Sequence, residues 1–312
     1  MKSFAVAAVG AALLLPVVSG CAAFQDDSGS SADGVEVAAA FYPLQYVAER
    51  VAGDRATVAN LTAPGGEPHD LELTVKETAQ VAQADLVVYL DGFQPSVDEA
   101  VETVAEGAAL DVSEAVELRP AGEADHDHAH EEEGEEEHDH GDTDPHFWQD
   151  PLLMADLGDA MAEQLADIDP DHADEFRDNA ADLRGDLEAL DAAYADGLAD
   201  CERHTVVVAH DAFGYLGRYG LEFEPIAGLS PDAEPTPADL AHLQEVIADE
   251  GVTTVFYESL VSPDIAEQLA NDTGAKVGVL DPIEGLTDET ADEDYLSLME
   301  QNLAALEEAN GC

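Results

Sequence analysis

The chain has 312 residues, 46% of them hydrophobic, enough for one large domain or two lobes with cores of their own. Against 71 Asp and Glu stand 10 Lys and Arg, a formal charge of -61. That field excludes nucleic acid and anionic membrane surfaces as partners and gathers cations, and its spread along the whole chain matches either a general adaptation to high salt or the acidic proteome of a high-GC organism.

Lys2 precedes an apolar stretch, Phe4 to Val18, too short to span a bilayer. Val18-Ser19-Gly20-Cys21 resembles a bacterial lipobox. Residues 1–20 are therefore expected to be a signal peptide, with Cys21 lipidated as the new N-terminus and residues 21–34 a Gly/Ser/Asp tether. The protein is expected outside the cytoplasm, anchored to the outer face of the cell membrane, or periplasmic if the signal is cleaved without lipidation. In that oxidising compartment the remaining cysteines, Cys201 and Cys312, are most simply a disulfide.

From Val35 the pattern alternates strand and helix. Strands are expected over 35–41, 56–62 and 84–90, with helices over 42–53, from a Thr74 cap to Gln83, and near Ser96 to Glu106. Asp125 to His146 then reads DHDHAHEEEGEEEHDHGDTDPH, six of the chain's 11 histidines among carboxylates. So few apolar residues and so much charge of one sign predict a solvated loop, about 121–143. His126, His128, His130, His138 and His140 in it suit loose recruitment of a borderline divalent cation, whereas a solvated acidic linker is the plainer alternative.

Beyond the tract, Asp150-Pro151 starts a helix to about Ile168, and Asp169-Pro170 starts a longer one. Phe176, Leu183, Leu187, Leu190 and Tyr194 recur at helical spacing. About thirty residues at 1.5 Å each make a rod of roughly 45 Å, suited to bridging two halves. The alternation then resumes: strands over 205–210, 221–228, 252–258 and 276–282, helices over 212–220, Pro237 to Glu250, Pro263 to Asn271 and Ala291 to Ala309. The expected fold class is α/β, with two (βα) lobes built on parallel sheets and joined by a long rigid helix. The division is 35–168, a linking helix 169–200, and 201–312.

Sites in such sheets lie at the carboxyl ends of strands. His69, His146, His210 and Asp281 stand at such strand or loop ends, and three imidazoles with one carboxylate make a tetrahedral zinc set. Asp281 either binds directly or yields its place to water. His172, His204 and His242 fall on helix faces or a strand entry and are expected at the surface. A zinc hydrolase would also use three histidines, but no HExxH or GxSxG is present.

Read together, GGEPHDLELT, DPHFWQDP, VVVAHDAFGYLGRYGL and VLDPIEG resemble, in order and spacing, the metal-binding solute-binding proteins of ABC-type zinc and manganese importers, the ZnuA/TroA-like family. The resemblance runs from about Val35 to Cys312. It implies a metal held in the cleft between the lobes, by His69 and His146 from the first and His210 and Asp281 from the second. It also implies a monomer that delivers Zn2+ to a membrane permease with its ATPase and catalyses nothing. Manganese and iron members tend to carry glutamate as third ligand, so His210 points to zinc over those metals. Glu258 matches a recurring family acid that orients a ligand, and Glu67 is either a turn acid or a cleft-lining one. A surface adhesin or zinc reservoir with the same fold is a further alternative. Where relatives often carry tryptophan, this chain has Phe93-Gln94-Pro95, a local change at the cleft mouth.

Overall fold

Two runs of alternating strand and helix each close into a four-stranded parallel sheet. The computed structural model describes residues 34–121 and 143–312, and Gly34–Cys312 form one compact unit. Cys21 and His126, His128, His130, His138 and His140 lie outside the described residues.

The first run is β1 (Val35–Ala39), α1 (Tyr42–Ala52), β2 (Ala56–Asn60), α2 (Val75–Gln83), β3 (Leu86–Tyr89), α3 (Pro95–Val104), β4 (Ala108–Asp111) and the short α4 (Val112–Ala115). Thr74 caps α2 in a capping box with Glu77, and Gly53 ends α1 at φ +55. The sheet order is β2-β1-β3-β4. β4 was not legible in advance: Ala-Ala-Leu-Asp has little strand propensity, and the segment is extended because it pairs with β3.

Two long helices follow, α5 (Pro151–Ile168) and α6 (Ala173–Gly197). With 25 residues, α6 is about 37 Å long and lies between the two sheet-bearing halves. Its stripe of Phe176, Ala180, Leu183, Leu187, Leu190 and Tyr194 is buried, and the helix packs on α5 and α1.

The second run is β5 (Thr205–His210), β6 (Glu222–Ala227), α7 (Pro237–Glu250), β7 (Thr254–Tyr257), α8 (Asp264–Thr273), β8 (Lys276–Val279) and α9 (Tyr295–Asn310), in the order β6-β5-β7-β8. α9 also packs on α6, where Tyr194 donates from its hydroxyl to the Met299 carbonyl at 2.7 Å. The expected helix at 212–220 is instead a 3-10 turn, Gly214–Tyr219. Its glycines disfavour an α-helix, and a Cβ on Gly214 would fall 1.9 Å from Arg119 Nη1, so the guanidinium occupies that space.

A disulfide joins Cys201, just after α6, to Cys312. One apolar core runs from Val35 to Ala309 through both halves, with a smaller cluster where α7 and α8 cover β5 and β7. A shared core and a rigid helix favour small local movements over a wide hinge swing.

Candidate metal centre

Each sheet reverses its winding direction beside its first strand, and crevices at the carboxyl edge lie at such points. His210 is the last residue of β5, and Glu258 directly follows β7. His69 comes from the loop after β2, whose Gly65 amide donates to the Leu286 carbonyl at 2.7 Å. The carboxylate of Glu67 folds back on this loop and accepts from the amides of His69 and Asp70 at 3.0 and 3.2 Å. Burial raises the Glu67 carboxyl to about 7, against the pull of those amides. Glu67 is thus a turn acid, and it lies in a peripheral acidic group with Asp70 and Asp232.

His146 precedes a 3-10 turn, Phe147–Gln149, whose side chains are all buried. Asp144 Oδ1 accepts from the His146 amide at 3.0 Å and lies 2.9 Å from its Nδ1. Glu258 Oε1 lies 2.8 Å from His210 Nδ1. A carboxylate only accepts, so in both rings Nδ1 carries a proton and Nε2 faces the cleft.

The cleft brings together His69, His146, His210 and Glu284, all buried. Glu284 Oε1 lies 3.3 Å from His69 Nε2, 3.4 Å from His146 Nε2 and 3.3 Å from His210 Nε2. The Nε2 atoms of His146 and His210 are 3.4 Å apart. Zinc–ligand bonds of ~2.0–2.1 Å in a tetrahedron require ligand–ligand edges of about 3.3–3.4 Å. Four of the six edges therefore already have the length that one four-coordinate zinc demands. Lone pairs from neutral rings and a carboxylate cannot converge this closely without a cation or protons among them.

Protonation follows the same geometry. Burial works against charge on His210, but Glu258 and Glu284 outweigh it and raise the ring to about 10. His146 is also raised, burial being outweighed by Asp144 and Glu284. His69, with burial dominant, is lowered. Glu284 is held well below the usual carboxylate range, since its histidine partners overcome its burial.

Three of the expected residues, His69, His146 and His210, meet in this cluster; Asp281, expected in the fourth position, does not. Its Oδ2 accepts from Ser259 Oγ at 2.6 Å and its Oδ1 from the Ile283 amide at 2.7 Å. Glu284 takes the place instead. It lay unread in Asp281-Pro282-Ile283-Glu284 because the chain reverses there through Ile283, at φ +61, which an isoleucine does not advertise. The flanking Gly285 was the available sign of a tight turn. Asp144 was also missed; its position two residues before His146 is the signal that could have found it. Glu258 stands where it was expected, beside His210. His204 and His242 are exposed and His172 half-buried against Asp169, all apart from the cluster.

The family model described as "ZnuA: Zinc-uptake complex component A periplasmic" matches residues 37–309. The chain is 34% identical over 307 residues to the high-affinity zinc uptake system protein ZnuA of Bacillus subtilis, covering 96% of this chain and 95% of that one. It is 37% identical over 284 residues to the zinc-binding lipoprotein AdcA of Streptococcus pneumoniae, covering 89% of this chain but only 56% of AdcA. The Zn(II)-bound ZnuA-like domain of that AdcA superposes with a TM-score of 0.74 at 33% identity, over 89% of this chain and 100% of the domain. The laminin-binding protein Lmb of Streptococcus agalactiae, described as a bifunctional adhesin and metal transporter, superposes with a TM-score of 0.77 at 28% identity, over 88% and 99%.

Proposed function

The chain belongs to the ZnuA family of zinc-uptake components, and from that premise we propose that it captures Zn2+ outside the cytoplasm and delivers it to the permease of an ABC transporter. It is a solute-binding protein and not an enzyme. The observation that carries the reading is that Glu284 Oε1 stands at tetrahedral edge length from three imidazole nitrogens, two of which stand at that length from each other. We assign His69, His146, His210 and Glu284 as the zinc ligands. Asp144 and Glu258 fix the tautomers of two of them.

The ion enters as cargo. Cys21 anchors the chain to the membrane, the histidine-acid tract raises the local zinc concentration, and the protein works as a monomer. Its lobes divide at residues 168/169 and 200/201. Retention or adhesion at the cell surface is a second reading, supported by the likeness to Lmb.

Competition titration of zinc against manganese, on the purified chain and on His210→Glu, tests the assignment. One tight zinc per chain and a loss of zinc preference in the variant are expected. Equal affinity for both metals in the unaltered chain would sink the zinc reading.

A further inference from the structure

Asp281 is buried, carries a carboxylate, and is tied on every side. Its amide donates to Asn302 Oδ1 at 2.9 Å, and its carbonyl accepts from Asn302 Nδ2 at 2.6 Å, which pins the residue to α9. Its two carboxylate oxygens are engaged separately, by the Ser259 hydroxyl and by the amide of Ile283. Ser259 is the neighbour of Glu258, which holds His210. Ile283 is the neighbour of Glu284. A single side chain thus links the supports of two members of the cluster.

The turn that Asp281 spans needs such a link. Ile283 has φ +61, a conformation β-branched residues rarely adopt, and it is the only non-glycine residue with positive φ among the described residues. Such a conformation persists only when its surroundings over-determine it. Asp281 Oδ1 holds the Ile283 amide from one side. From the other, Trp148 Nε1 and Gln149 Nε2 both donate to the Pro282 carbonyl, at 2.7 and 2.5 Å. Those two residues close the 3-10 turn that starts right after His146. The backbone that presents Glu284 is therefore fixed by groups adjoining His146 and His210.

We propose that Asp281 is a positioning residue which sets the place of the Glu284 carboxylate through the Ile283 amide, and that it does not ligate the ion. This rests on the zinc-binding reading. With the turn held, Glu284 offers one oxygen at tetrahedral distance from three imidazoles. With the turn loosened, the carboxylate is free to rotate or withdraw, which favours ions that accept more oxygen ligands and less regular geometry.

Asparagine and alanine at this position separate positioning from ligation. In Asp281→Asn the amide oxygen still accepts from Ile283, and the amide nitrogen can donate to Ser259, whose hydroxyl turns to accept. In Asp281→Ala both tethers go. The full-length protein is loaded with Co2+ as a spectroscopic probe, since four-coordinate cobalt absorbs visible light far more strongly than six-coordinate. Zinc affinity is then measured by competition. Asp281→Asn is expected to keep the four-coordinate bands and a zinc Kd within about threefold of the unaltered chain. Asp281→Ala is expected to weaken the bands and raise the Kd about ten- to a hundredfold, the range for residues that orient ligands. Should Asp281→Asn lose as much affinity as Glu284→Gln, the charge itself contacts the ion and the proposal is overturned. An unchanged Asp281→Ala overturns it as well. If the alanine variant fails to fold, Asp281→Asn still decides ligation, and Ser259→Ala, which removes one tether and leaves the carboxylate, is expected to raise the zinc Kd in its place; an unchanged Kd there overturns the proposal. Four-coordinate bands that survive Glu284→Ala unaltered would overturn the metal-centre assignment, and with it this proposal.

Discussion

His146 and His210 point their Nε2 atoms at each other across 3.4 Å, while a carboxylate behind each ring, Asp144 or Glu258, holds the opposite nitrogen. Each ring is thereby fixed in direction before an ion arrives, with the proton on Nδ1 held by its carboxylate and Nε2 left as the nitrogen that binds. Preorganisation of this kind reduces the ordering cost of binding. Glu258→Ala is expected to raise the zinc Kd about ten- to a hundredfold, with Asp144→Ala similar. Competition titration checks it, and an unchanged Kd in both variants would remove the orienting role.

Binding depends on pH because the ion displaces protons. Without metal, His210 is raised to about 10 and His146 is raised too, whereas His69 is lowered. Zinc binds only unprotonated nitrogen, so at neutral pH a proton leaves His210 as it enters. Apparent affinity therefore rises with pH, by at least about tenfold per unit while His210 would otherwise be protonated. The unperturbed pKa of histidine places this dependence near pH 6 to 7; the buried carboxylates extend it upward. Calorimetry in buffers of different ionisation enthalpy counts the released protons. Zero release at pH 7 would contradict this.

The tract and the cleft are expected to bind zinc separately. Deleting residues 125–140 is expected to leave one tight zinc per chain and to lower the total bound at saturation. Pro120 and Thr143 pair just outside the deleted stretch. Disappearance of the tight site on deletion, read by equilibrium dialysis, would refute the division.

Charge sets the response to salt. Every arginine among the described residues has a carboxylate within 4.0 Å, including Arg50 with Asp186, Arg184 with Asp156, and Arg218 with Asp150. With 71 acids against 10 Lys and Arg, most carboxylates are left without a cationic partner, and salt screens their repulsion at about 10 Å in 0.1 M and about 3 Å in 1 M. Tm of the metal-free protein is expected to rise between low and molar NaCl. A flat or falling Tm in calorimetric scans would show that repulsion does not limit stability.

The disulfide closes a span of 111 residues. In the chain-entropy account such a closure stabilises by about 4–5 kcal/mol. Cys201→Ser is expected to lower Tm clearly while leaving the zinc Kd near its original value, because the cysteines lie at the far end of the second sheet from His210. Loss of zinc affinity in proportion to Tm would show that the site depends on global stability.

The alternation of strand and helix, the long α6, and three histidines placed where strands end can all be read from residue order. These are readable because hydrophobic period, caps and turn residues act over a few neighbouring positions. The sequence also carried enough ordered motifs to mark the family. The fourth member of the cluster is fixed by long-range contacts instead. Asp281 and Glu284 are both acids in the same short loop, and nothing local tells which one reaches the cleft. That choice is made by hydrogen bonds from Ser259, Asn302, Trp148 and Gln149, the last two from more than 130 positions away. The left-handed turn at Ile283 exists only inside that set of contacts, so the direction of the Glu284 carboxylate is a property of the folded chain.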